Sequence, residues 1–273
     1  MFMKVGKKTF DEVREWWAGI AAVDKDAEGL SPTARDPYLQ KSIERVVDQY
    51  LSPGHRVIDI GCGDGASSIG FAAKVESLLG IDYIPTYVER ARSKAMATGR
   101  LNTEFQVGSA LNLRSIYGKR ELFDVAISIR CLINLANFEN QSMAIREIAR
   151  CLKPGAIYIT SEGWQEGWDG LNALRKSVGL PEIEIVPYNV LMSRKSFEQV
   201  SASYFDVVKF HSLGIYHLLS RVVQPVYMAP EAPRHDHPLN RIASELSEFR
   251  SGNEFEDIDY SGIYVLRRND RNA

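Results

Sequence analysis

Residues 57–65 read Val-Ile-Asp-Ile-Gly-Cys-Gly-Asp-Gly, and no other segment constrains the chain as strongly. Val57, Ile58 and Ile60 form a β-branched run broken only by Asp59, the pattern of a short buried strand. Glycines at 61, 63 and 65 then predict a tight turn, and the stretch from Ala66 to Val75 reads as a helix. A turn without Cβ atoms lets backbone approach a bulky ligand closely, and the following helix start offers free N–H groups. Strand, glycine turn and helix in that order predict a nucleotide-type ligand at the end of a first strand.

The alternation continues along the chain. Further strands are read at 78–82, 104–107, 123–129, 157–160, 205–211 and 262–267. Helices are read at about 10–22, 37–51, 85–98, 137–152 and 193–203, with Asp36 capping the second and Pro37 in its first turn. Strands joined by helices predict a parallel sheet covered on both faces, with ligands beyond the carboxyl ends of its strands, beside strand one. About 50 residues separate the last two strands and contain two helices, near 216–223 and 239–249, so this connection reads as a lid. The expected organisation is a helical cap over 1–50, followed by a ligand-binding domain over 51–273 with substrate or lid insertions at about 162–192 and 213–259.

Net charge is −2, from 33 basic and 35 acidic residues, which gives no general electrostatic case for nucleic acid or anionic lipid. No apolar run approaches the ~20 residues that span a bilayer, and the first eight residues are too polar for a signal peptide. Cys62, Cys131 and Cys151 are isolated and odd in number, as in a protein of a reducing compartment. The expectation is a cytoplasmic protein with a small-molecule partner and neither nucleic acid nor membrane; a homo-oligomer stays open.

Gly61, Gly63 and Ala66 alone would satisfy the G-x-G-x-x-A form of a dinucleotide fingerprint. Asp59, two residues before Gly61, would repel a pyrophosphate and favour a cationic ligand. Gly65 also arrives early, and Asp82, at the end of the second strand, is placed to accept both hydroxyls of a ribose. With these features the chain resembles the class I S-adenosylmethionine-dependent methyltransferases. Their first motif is similar to Val57–Gly65, their second-strand acid to Asp82 within Gly80-Ile-Asp-Tyr, and their third-strand motif to Val107-Gly-Ser-Ala110. Phe123–Ser128 and the turn Leu152-Lys-Pro-Gly155 match as well, so the resemblance covers about residues 40–165.

The resemblance implies a doubly wound, Rossmann-like α/β fold with a seven-stranded, mostly parallel sheet whose last strand is antiparallel. It implies S-adenosylmethionine as cofactor and S-adenosylhomocysteine as product. Gly61, Cys62, Gly63 and Gly65 would wrap the methionine part, Asp59 its ammonium, and Asp82 the ribose. Tyr83 or Ile84 would lie against adenine, with Ala110 beside the ring and Ser109 standing where the family commonly has an acid. Arg35 is a candidate partner for the cofactor carboxylate; Arg130, also a cofactor-binding candidate, would bind a carboxylate or phosphate, or brace the chain.

The segment Ile129–Asn134 lacks the Asp/Asn-Pro-Pro-aromatic motif of DNA amino-methyltransferases. It also lacks the Pro-Cys nucleophile of cytosine-C5 enzymes, and no acidic metal cluster of the catechol type is visible. Candidate catalytic residues are Glu162, directly after strand five, and Asn134. Asn134, Trp164, Asn172, Arg175 and Asn189 are candidates for acceptor binding; no metal ligand set is read. His211, His217, His235 and His237 are weaker base candidates, and Pro233-Arg-His-Asp-His-Pro238 reads as part of a lid loop. The expected reaction is O-methylation of a small polar molecule such as a sugar or secondary metabolite. The alternatives are N-methylation of an amine or amino sugar, or cofactor binding without transfer.

Overall fold

The computed structural model describes residues 9–23, 36–118, 122–249 and 254–271. Its centre is a seven-stranded sheet in the order β3-β2-β1-β4-β5-β7-β6. The strands are β1 Arg56–Ile60, β2 Ser77–Asp82, β3 Thr103–Val107, β4 Phe123–Ile129, β5 Leu152–Ser161, β6 Phe205–His211 and β7 Ile263–Arg268. Neighbours from β3 through β5 pair in parallel, whereas β7 runs antiparallel to both β5 and β6. The fold class read from the sequence is therefore correct, including the direction of the last strand.

Local chemistry explains most helix starts. Helix α1 is Phe10–Val23, and α2 is Pro37–Asp48, whose N-cap Asp36 accepts from the Leu39 N–H at 3.1 Å. Helix α3, Ala66–Ala72, leaves the glycine turn, and α4, Pro85–Ala97, begins on its proline. A short α5 spans Arg114–Tyr117; α6, Phe138–Cys151, is capped by Asn137 through the Asn140 N–H at 2.8 Å. Chain continues through α7 Gln165–Ser177, α8 Arg194–Ser201, α9 Gly214–His217, α10 Gln224–Met228 and α11 Pro238–Phe249. Between α9 and α10 the helix widens into a π-helical segment, Leu218–Val223.

Two apolar layers sandwich the sheet. One joins Ile58, Ile60 and Ala126 to Ile145 and Ile148 of α6; the other joins Val57, Val125 and Ile127 to Ile43 and Val47 of α2 and Ala243 of α11. Alternate residues of β1 and β4 thus serve opposite faces, as period-two side-chain geometry requires. The strand order reverses between β1 and its neighbours β2 and β4, which opens the crevice where ligands bind in such sheets. Two boundaries shift from expectation. Helix α2 stops at Asp48 instead of about 51, and β5 starts directly after α6, because Leu152 already pairs with Phe123.

Candidate active site

The glycine turn is shaped by its neighbours as much as by its own flexibility. Gly61 and Gly65 both have φ of 76°, a region that side chains rarely adopt. A Cβ on Gly61 would stand 2.8 Å from the Cys131 Sγ, and one on Gly65 2.7 Å from the Ala91 Cβ. The turn is tied to β2 as well: Gly61 and Cys62 donate their N–H groups to the Ile81 carbonyl at 2.8 and 2.9 Å. Asp82 completes the tie, accepting from the Gly63 N–H at 3.0 Å and the Ile84 N–H at 2.9 Å.

Beyond the strand ends lies a cavity of about 620 Å³, within the range of small-molecule sites. Asp59, Gly61, Cys62, Gly63 and Asp82 line its floor; Tyr83, Ser109 and Ala110 line one side, and Arg130, Asn134 and Asn189 another. Burial outweighs the donors each already has and raises both Asp59 and Asp82 to about 6, so each carboxylate is an expensive anion until a positive group reaches it. Ser68 donates to the Asp59 carboxylate at 2.5 Å. Among the described residues, the Tyr83 Oη and Asn189 Oδ1 are buried without a hydrogen-bond partner, although both line the cavity. Buried polar atoms of this kind normally find partners, which a bound ligand would supply.

Helix α2 adds a polar stripe at four-residue spacing, Asp36, Gln40 and Glu44, and all three line the cavity. The Gln40 amide donates to Ser67 Oγ at 2.9 Å, Ser67 donates to Glu44 at 2.5 Å, and Arg130 donates to the Gln40 Oε1 at 3.4 Å. Anionic Asp59 and Glu44 and cationic Arg130 therefore share the end of the cavity beside the glycine turn, a donor set that fits an amino-acid zwitterion. Nothing in sequence marked Gln40 or Glu44 as functional, although their spacing from the Asp36 cap places all three on one helix face.

Helix α1 roofs the cavity. Trp17 donates its indole N–H to the Asn134 Oδ1 at 3.0 Å, Trp16 stacks on Tyr188 at 3.6 Å, and Phe10 stacks on Tyr83 at 5.7 Å. The far wall comes from the long insert and the approach to β7. Arg221, in the π-helical segment, reaches Asp36 at 2.5 Å, and Tyr216 donates to the same carboxylate at 2.6 Å. Burial opposes ionisation of Asp36, yet His235, Arg221 and Tyr216 together hold its carboxyl well below the usual range. Tyr260, Ser261 and His235 line this wall too.

Several sequence candidates lie elsewhere. Glu162 is fully buried outside the cavity lining and braces the turn after β4. Its carboxylate accepts the N–H groups of Cys131 and Ile133, each at 3.2 Å, and burial raises it to about 7. Trp164 is fully buried, donating to the Gly262 carbonyl at 2.7 Å. Asn172 exchanges hydrogen bonds with the Ile183 backbone, and Arg175 donates to the carbonyls of Pro181 and Arg221. Asn172 and Arg175 lie on α7 while Glu162 and Trp164 precede it, and none of the four lines the cavity. Gly65 caps α3 just outside the lining, and Arg35 lies outside the described residues.

Residues 51–181 match the family model described as a methyltransferase domain. Among curated proteins, the chain is 28% identical over 164 residues to the uncharacterized methyltransferase YcgJ of Bacillus subtilis, covering 58% of this chain and 60% of that one. It is 30% identical over 152 residues to a ubiquinone biosynthesis O-methyltransferase of Cereibacter sphaeroides, covering 54% and 58%. The chain thus spans little more than half the length of these relatives. Among solved structures, N-methyltransferase NodS of Bradyrhizobium japonicum, in complex with S-adenosylhomocysteine, aligns over 93% of this chain and 97% of its own. That alignment has a TM-score of 0.56 at 14% identity, a likeness of fold.

Proposed function

We propose that this chain, whose domain at 51–181 belongs to the class I S-adenosylmethionine-dependent methyltransferases, methylates a hydroxyl group of a small polar molecule. The observation that carries this reading is the cavity of about 620 Å³, which runs from the glycine turn under α1 to the wall of Asp36, Arg221 and Tyr260. Its volume suits a nucleoside-sized ligand plus a compact acceptor. At the far wall Arg221 pairs with Asp36, so the described residues bring no net negative charge there to draw an ammonium. Tyr260, Ser261 and His235 add hydrogen-bonding groups to that wall, a surface suited to a neutral polar molecule.

When bound, S-adenosylmethionine supplies a methyl group already activated by a sulfonium. In this reading Asp82 and the Gly61–Gly63 backbone hold its ribose and methionine chain. Asp59 with Glu44 takes the ammonium, and Arg130 with Gln40 takes the carboxylate. Tyr83, Ser109 and Ala110 form the adenine side. Helix α1 excludes water, while Asn134 and Asn189 orient the acceptor. Fixing two reactants in attack geometry can supply roughly 7–11 kcal/mol of the barrier.

Turnover with methyl-labelled S-adenosylmethionine and a panel of sugars, phenols and amines tests the reading. Label on oxygen is the expected result. Label on nitrogen would replace the hydroxyl by an amine, and tight binding of S-adenosylhomocysteine with no labelled product would leave a non-catalytic binder.

A further inference from the structure

The proposed transfer to a hydroxyl needs somewhere for the acceptor's proton to go, and Glu162 is not available for it. Four other base candidates were legible in the sequence. His211 is bonded to the Tyr50 hydroxyl at 2.8 Å and is lowered by burial to about 4. His217 is fully buried, bonded to Ser261 Oγ at 2.8 Å and stacked on Tyr260. His237 accepts from the Leu239 N–H through Nδ1 at 3.1 Å. His235 differs: it lines the cavity, and its Nδ1 lies 3.4 Å from the Asp36 carboxylate.

Two further features show that this imidazole is placed. The buried Gln224 amide donates to the Arg234 carbonyl at 2.9 Å and to Asn240 Oδ1 at 2.9 Å, and the buried Asn240 amide donates to the His235 carbonyl at 3.2 Å. Two buried amides therefore clamp the backbone on both sides of the ring. Asp36 is equally fixed, as the α2 cap and as the acceptor of bonds from Tyr216 and Arg221. We infer that His235 takes the proton of the acceptor hydroxyl and that Asp36 is its positioning residue. This rests on the hydroxyl reading above.

With Nδ1–H donated to Asp36, Nε2 carries the free lone pair. The acceptor oxygen forms its bond to the methyl carbon, its proton passes to Nε2, and the electron pair of the broken carbon–sulfur bond stays on sulfur. His235 is 52% exposed, so the imidazolium can return the proton to solvent. Charged and titratable groups around it are Asp36 from the start of α2, Tyr216 and Arg221 from the helical insert, and Tyr260 before β7. Arg234, Asp236 and His237 lie in its own loop, where Arg234 and Asp236 pair at 3.0 Å.

The primary test is nitrogen-15 NMR of the imidazoles in the intact protein saturated with S-adenosylhomocysteine. The expected state of His235 is the Nδ1–H tautomer, mixed with its counterpart in Asp36→Asn. A prevailing Nε2–H tautomer in the unsubstituted protein overturns the inference without any acceptor being known, and whether or not Asp36→Asn folds. With the acceptor found by the labelling panel, His235→Gln should keep S-adenosylhomocysteine affinity within about twofold by calorimetry. It should lower transfer about 10²–10⁴-fold and abolish the acid limb of the pH–rate profile. Transfer to oxygen at an undiminished rate, with the acid limb intact, overturns the assignment of His235 while leaving O-methylation standing. Label on nitrogen overturns the hydroxyl reading, and with it the proton-accepting role.

Discussion

Asp82 carries two duties at a single carboxylate. It fastens the glycine turn through the Gly63 N–H, and it presents its remaining lone pairs to the cavity. Asp82→Asn keeps the volume but replaces one acceptor oxygen by a donor facing backbone N–H groups. Calorimetry with S-adenosylhomocysteine should show at least about tenfold weaker binding, the scale of one charge-assisted hydrogen bond. Acidity adds a second expectation. Both Asp59 and Asp82 are raised to about 6 by burial, so in the free protein their favourable contribution to folding is complete below their ordinary value and declines as pH rises through about 6. A ligand that pairs with the ionised forms pulls both values back down, which releases protons on binding. Affinity should therefore rise with pH through about 6, and calorimetry in buffers of different ionisation enthalpy should detect the released protons. Flat affinity from pH 5 to 7 would detach these acids from the ligand.

At the scale of elements, the strands and the glycine turn were legible because β-branched runs and φ-positive glycines leave local marks. The wall opposite the turn was not, because it is assembled by tertiary contact from single polar residues on α2 and the insert. In segment 161–175, Trp164, Asn172 and Arg175 read as acceptor-binding candidates; none of them lines the cavity, and from Gln165 the segment is a helix packed closely on the turn before β7. Gly170 belongs to that packing: an added Cβ would meet the Asp257 carbonyl oxygen at 1.9 Å. Gly170→Ala should accordingly destabilise the protein by about 1–3 kcal/mol, as overpacking does, despite alanine's better helix propensity. Denaturant titration checks the sign, and a gain in stability would show that α7 can move away. The roof is testable separately. Trp17→Phe removes the 3.0 Å bond to Asn134 while keeping a ring over the cavity, so S-adenosylhomocysteine should dissociate several-fold faster in stopped-flow fluorescence.

The whole molecule joins α2 to its last insert on one face of the sheet. Helix α2 meets α11 through the Ser42–Ser244 hydroxyl pair at 2.8 Å and through Arg45, which reaches Glu245 and Glu248 at 3.0 Å each. Those exposed ion pairs contribute little. Asp36 and Arg221 are different, with side chains 6% and 15% exposed. Removing one partner leaves the other charge without compensation, whereas removing both replaces the pair with neutral groups. Arg221→Met should thus cost about 3 kcal/mol of unfolding free energy, the low end for breaking a buried pair. Asp36→Asn combined with Arg221→Met should recover part of that loss. The pH dependence has a definite sign as well. Because the Asp36 carboxyl is lowered in the folded protein, its contribution is present above the ordinary carboxylate value and is lost as pH falls through the folded one. Loss of Arg221 lets that carboxyl drift upward, so the gap between the parent and Arg221→Met should narrow as the solution is acidified. Urea titrations at neutral pH and near pH 4 measure both effects. A double-variant loss equal to the sum of the Asp36→Asn and Arg221→Met losses would mean that the pair adds no coupling.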